Sequence, residues 1–174
     1  MRKSTIIKDI VETLGADDAI GLKYVDKDWG QLNVEQPAVG WPCALADIEA
    51  VEYSDLGRGW QLANATIEVT VANKRTNSSS AHAPGDAKER SYLTLELCDA
   101  IHLRLQGFNG EHSPSLYAPL TRTSFYKDTD GLSYECYTMR YKTQYKVPPT
   151  PVATHEVTGV GVGVGLGPMP GQGQ

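Results

Sequence analysis

The chain has 174 residues, of which 40% are apolar and 21% charged, and a formal charge of −5; this composition excludes a disordered or fibrous protein and disfavours one that grips duplex DNA through clustered cations. No stretch approaches the roughly 18 consecutive apolar residues of a membrane span. Lys8, Asp9 and Glu12 interrupt the apolar run that a secretory leader would need, so folding in a cytoplasm is expected, with Cys43, Cys98 and Cys136 as reduced, buried small hydrophobes.

Ser4 is placed to cap a first helix in which Ile6, Ile7, Ile10, Val11 and Leu14 fall on one face and Lys8, Asp9 and Glu12 on the other, with Gly15 ending it. A short strand around Leu22 to Val25 follows, then a long connection from Asp26 to Pro42 and a strand from about Cys43 to Tyr53. Trp60 to Ala72 carries the cleanest strand signal: Ala63, Ala65, Ile67, Val69 and Val71 alternate with Asn64, Thr66, Glu68 and Thr70. Asn73 to Gly85 is an exposed loop in which Lys74 and Arg75 are candidate contacts to another subunit, because so long a polar excursion has no internal purpose. Asp86 and Glu89 form a D-x-x-E start for a second helix to about Leu105, with Tyr92 or Leu93, Leu97, Ala100 or Ile101, and Leu105 as its buried stripe. Leu120 to Lys127 and Leu132 to Val147 then pair as a hairpin through Asp128-Thr129-Asp130-Gly131.

This order predicts an α+β fold over residues 1–147, a mainly antiparallel sheet with both helices on one face. Pro148-Pro149-Thr150-Pro151 marks the boundary of an extended C-terminal arm, residues 148–174. Within it, glycine alternates with apolar residues from Gly159 to Gly167, so that one face carries side chains and the other none. Glycine loses much backbone entropy on ordering, so the arm is expected to settle only against a neighbour, with Val157, Val160, Val162, Val164 and Leu166 as contacts.

Catalytic signatures are absent from the sequence. Asp26-Lys27-Asp28-Trp29-Gly30 has its glycine one place early for a calcium loop, the four histidines lack zinc spacing, and no phosphate loop or nucleophile elbow occurs. Neither a catalytic residue nor a cofactor or metal site is expected. The charge divides unevenly, with 11 acids against 5 bases in residues 1–55 and 9 against 11 in 56–147, which suits complementary faces in an assembly or a merely solvated surface. Tyr137, Tyr141 and Tyr145 would line one strand face; large contact area at low entropy cost suits a subunit interface, and packing on the two helices explains the same face equally well.

The helix Ser4 to Leu14, the segment Trp41-Pro42-Cys43-Ala44-Leu45-Ala46-Asp47-Ile48, the strand Ala63 to Val71, the helix from about Asp86 to Leu105 and the closing pair Leu120 to Phe125 and Tyr134 to Lys146 together resemble the tail terminator family of long-tailed phages and related head-tail joining, or minor capsid, proteins. The resemblance covers residues 1 to about 147, and the arm departs from it. It implies a structural virion protein at the tail and neck, assembled in the bacterial cytoplasm as a ring, a hexamer in that family. Its implied partners are other copies of itself, the tail tube protein and a neck or stopper protein, with double-stranded DNA only in transit through the lumen and no membrane. A neck or stopper subunit is the alternative within this class. From other classes, a host-side regulatory module encoded in a prophage competes, as does a small metal-dependent nucleic-acid enzyme using Asp26, Asp28, Asp47 and Glu49.

Overall fold

The computed structural model describes residues 3–74, 78–110, 116–128 and 134–149. Its elements are α1 (Lys3–Gly15), β1 (Tyr24–Lys27), a short 3-10 turn (Gln31–Asn33), β2 (Cys43–Gly57), β3 (Trp60–Lys74), α2 (Gly85–Arg90), α3 (Leu93–Leu105), β4 (Thr121–Asp128) and β5 (Tyr134–Val147). The five strands form one sheet in the order β1-β2-β3-β5-β4, antiparallel throughout except for the parallel β1–β2 pair. The α+β class and the mainly antiparallel sheet are as the sequence predicts.

Period-two alternation sends Ala63, Ala65, Ile67, Val69 and Val71 of β3 and Tyr137, Met139, Tyr141 and Tyr145 of β5 to one face. There they meet Ile6, Ile7, Ile10 and Leu14 of α1 and Leu97, Cys98, Ile101 and Leu105 of α3 in a single core. A smaller cluster of Leu32, Cys43, Leu45, Ala72, Tyr134 and Cys136 lies on the opposite face, under Trp41 and Val39. The Tyr134 hydroxyl donates to the Leu32 carbonyl at 2.6 Å, and its ring meets that of Trp41 at 5.2 Å between centroids. The connection from β1 to β2 thus covers one end of the outer face, and among the described residues no other element packs on that face.

Three expectations about the helices need correction. The expected second helix is divided: Tyr92 N–H bonds to Glu89 O, three residues back rather than four, and the Ser91 hydroxyl bonds to Lys88 O. The break shifts the buried stripe to Thr94, Leu97, Cys98, Ile101 and Leu105, leaving Tyr92 and Leu93 at 39% and 40% exposure. Asp86 does not cap; the helix begins at Gly85, so Asp86 lies in the first turn and pairs with Arg90 at 2.7 Å. Ser4 likewise falls inside α1, which already includes Lys3.

β2 and β3 form a long hairpin that sequence periodicity alone does not reveal. Gly57 pairs with Trp60 across Arg58 and Gly59, whose φ values of +54° and +77° are those of a tight primed turn. Glycine is required at position 59 for a second reason: a Cβ there would stand 2.9 Å from Pro149 Cβ. The turn Asp128-Thr129-Asp130-Gly131 lies, after Asp128, outside the described residues.

Candidate assembly surfaces

Among the described residues, three surfaces stand out as candidates for contact with another chain. The first is the bare part of the outer sheet face, where β-sheet register brings together four residues distant in sequence. Arg140 on β5 reaches Glu68 on β3 at 2.8 Å and Glu49 on β2 at 2.7 Å. The Tyr126 hydroxyl on β4 donates to the same Glu68 at 2.8 Å, and its ring lies 5.1 Å below the guanidinium. The hydrogen bond to Glu68 raises the Arg140 pKa, so a fixed positive charge sits between two carboxylates. Thr70 with Thr138 at 3.2 Å and Gln144 with Asn64 at 2.8 Å extend this polar band along β3 and β5.

The second surface is a groove of about 650 Å³ between α1 and β2, beginning where β1 stops. β1 partners β2 only from Cys43 to Ala46; among the described residues no strand pairs with the outer edge of β2 from Asp47 to Gly57. A bulge at Glu49, between the paired positions Ile48 and Ala50, keeps Ile48 and Val51 on the same side of the strand. With Ile7 and Val11 of α1 they give the groove its apolar lining, and Lys8 and Glu49 also border it. The third surface is the hairpin tip, where Leu56 and Trp60 stand 49% and 42% exposed beside Arg58 and Lys146.

The sequence-predicted contacts fall in different places. Lys74 is exposed at the end of β3, its ammonium 6.0 Å from the Trp41 ring centroid; Arg75 lies outside the described residues. Tyr137, Tyr141 and Tyr145 are buried within the subunit at 7%, 0% and 4% exposure, which corrects the interface reading: the ladder is the sheet's half of the core. Burial pushes the Tyr137 and Tyr145 phenols up to about 12 and raises Tyr141 further. Val157, Val160, Val162, Val164 and Leu166 lie outside the described residues.

The carboxylates considered for metal chemistry are engaged within the fold. Asp26 accepts the Tyr24 hydroxyl at 2.8 Å, a bond that lowers its pKa. Asp28 accepts Gly30 N–H at 2.8 Å, Asp47 faces Lys27 at 3.9 Å, and Glu49 is held by Arg140. Among the described residues no group of three or more His, Cys, Asp or Glu is placed to hold a metal ion, and no helix is long and apolar enough to cross a membrane. Sequence reasoning missed the Arg140 network and the hairpin tip. The signal for the first was only that Glu68 and Arg140 stand on the polar side of their alternations; for the second it was Gly57-Arg58-Gly59 between two strand-forming runs.

No protein-family model matches the sequence, and no curated protein matches it. Among solved structures, the fold is similar to a chain described as "Virion of native gene transfer agent (GTA) particle", with a TM-score of 0.54 and 10% sequence identity, covering 83% of this chain and 96% of that one. At that identity the likeness is one of fold, and it spans nearly the whole of the other chain.

Proposed function

We propose that this protein is a structural subunit of a phage-like particle, of the tail terminator type, which forms a ring that caps the tail tube and joins it to the neck of the capsid. The observation that carries the reading is the match of its α+β fold to almost the full length of a chain from a virion particle. Three features of the molecule support it. Among the described residues the chain has a strand edge without a partner, a projecting hairpin with exposed Leu56 and Trp60, and an ion-paired charged face, none of which is part of its hydrophobic core. Such surfaces suit repeated contacts between like subunits, where a small interface is multiplied around a closed ring. Lys74 and Arg75, at the start of the loop that follows β3, are proposed contacts to the next subunit or ring. The tail tube protein and a neck or stopper protein are the proposed partners on the two sides of the ring, and DNA passes through its lumen.

Light scattering on a sizing column together with negative-stain electron microscopy tests this. Closed rings that co-sediment with tail tubes are expected. A chain that stays monomeric at all concentrations and leaves tail tubes alone would sink the proposal, as would metal-dependent cleavage of DNA abolished by Asp47→Ala.

A further inference from the structure

We infer that residues 157–167 of a neighbouring copy add a sixth strand to the outer edge of β2, with Val160, Val162, Val164 and Leu166 seated in the groove between α1 and that edge. The inference rests on the ring-subunit reading and names the docking site within it.

An unpaired edge this long exposes a row of backbone donors and acceptors to any extended chain, and folded proteins ordinarily cover or interrupt such edges. Among the described residues the open run is Asp47 to Gly57, with β1 covering only Cys43 to Ala46. The arm's alternating segment, Gly159 to Gly167, fits within that run. Its chemistry matches as well. One side of β2 looks into the groove lined by Ile7, Val11, Ile48 and Val51, while the other side carries the Glu49–Arg140–Glu68 network. An added strand therefore needs apolar side chains on one face and nothing bulky on the other. Gly159, Gly161, Gly163, Gly165 and Gly167 alternating with Val160, Val162, Val164 and Leu166 supply that pattern.

Geometry favours the arm of another copy over the chain's own. β5 ends opposite Gln61, and Pro149 lies against Gly59, so the described chain ends beside the hairpin tip. Pro148 and Pro149 already lie at the tip, so an extended Thr150-Pro151 would carry the chain about 6 Å beyond it at ~3.1 Å per residue. To reach the outer edge of its own β2 the chain must come back over that distance and cross three strand spacings, about 14 Å, a diagonal of about 15 Å. Residues 152–156 span that gap only when fully extended, at about 17 Å, which leaves almost nothing for reversing direction across the sheet. A neighbour placed ahead of the hairpin tip is met without any reversal.

Two full-length variants separate donor from acceptor. Val162→Asp/Val164→Asp disables the arm and leaves the groove, whereas Val51→Asp disables the groove and leaves the arm. With the arm variant isotopically labelled, amide exchange along Asp47 to Gly57 is expected to be fast alone and to slow by at least about tenfold when unlabelled Val51→Asp protein is added. No change on mixing would overturn the proposal. Wild-type protein supplies a control that needs no variant to fold: protection of this edge and of residues 160–166 should rise together with concentration, and protection equal at every dilution would place the strand in the same chain and overturn it. Rings that form while the edge exchanges freely refute this docking site and leave the ring reading intact. A chain monomeric at every concentration refutes both.

Discussion

Replacing Tyr141 by alanine separates a core residue from an interface residue more sharply than any other single change. Tyr141 is 0% exposed, on the helix-facing side of β5. Its ring edge lies near His102, the ring centroids 6.3 Å apart, and its hydroxyl contacts are long, 3.4 Å to His102 Nδ1 and 3.5 Å to Met139 Sδ. The weight of the residue therefore lies in its ring, and truncation leaves a cavity that a close-packed interior fills only in part, a cost of about 3–5 kcal/mol for a large aromatic side chain. Removing only the hydroxyl, Tyr141→Phe, should cost under about 1 kcal/mol, because contacts so long contribute little. Urea unfolding at a dilution where the chain is monomeric measures both. A loss of 3–5 kcal/mol in a fold of this size corresponds to a thermal midpoint lower by about 10–15 °C. If Tyr141→Ala left monomer stability within about 1 kcal/mol of wild type and abolished assembly instead, the ladder would be an interface and the core assignment would be wrong.

Three further outcomes are expected. Gly110→Ala should destabilise by at least about 2 kcal/mol in the same assay, since a left-handed φ is costly for alanine; the position has φ +93°, and the new Cβ would stand 2.6 Å from Asp9 Oδ2, disturbing the buried Asp9–Tyr117 bond, so an unchanged midpoint would refute the geometry. Burial pushes the Cys43 thiol up to about 11 and those of Cys98 and Cys136 up to about 12, so all three should resist thiol reagents in the native state, and stability should fall as pH rises from about 9 toward those values because only the unfolded chain then gains thiolate; rapid native labelling of any of them would contradict the packing. Deleting residues 76–84 should leave the thermal midpoint nearly unchanged while weakening assembly, because among the described residues the hydrogen bonds of Ser78 to Pro84 run within the loop and to Lys88; a large loss of monomer stability would show the loop to be structural.

What the sequence reveals depends on whether a feature is local. Ala63 to Val71 is unmistakable as a strand because alternation is written along one segment, and its apolar side is indeed the core side. The same rule shows that Tyr137, Tyr141 and Tyr145 share a face without showing what covers it; that depends on where α3 lies, which no alternation within β5 records. The helix break at Ser91 and Tyr92 is hidden because each residue there keeps right-handed backbone angles, and only the hydrogen-bond partner changes. Arg140 meeting Glu49 and Glu68 is invisible for a stronger reason: it needs the register of three strands at once, and a shift of one residue in any of them would send a charge into the core.

That last dependence bears on assembly as well as on folding. The Arg140 pairs are partly exposed, so they contribute little net stability, yet they fix how β2, β3 and β5 lie against one another. Glu49 is also the bulged residue of β2, and it stands where the unpaired edge begins. Its bond to Arg140 holds the bulge on the polar side, which keeps Ile48 and Val51 both turned toward α1 and the groove continuous. A buried core alone would leave that edge free to twist, as long two-stranded hairpins do. The charged outer face thus has a structural consequence across the sheet: it sets the shape of the edge along which the proposed neighbouring copy would dock, while the tyrosine-rich inner face supplies the stability of the fold.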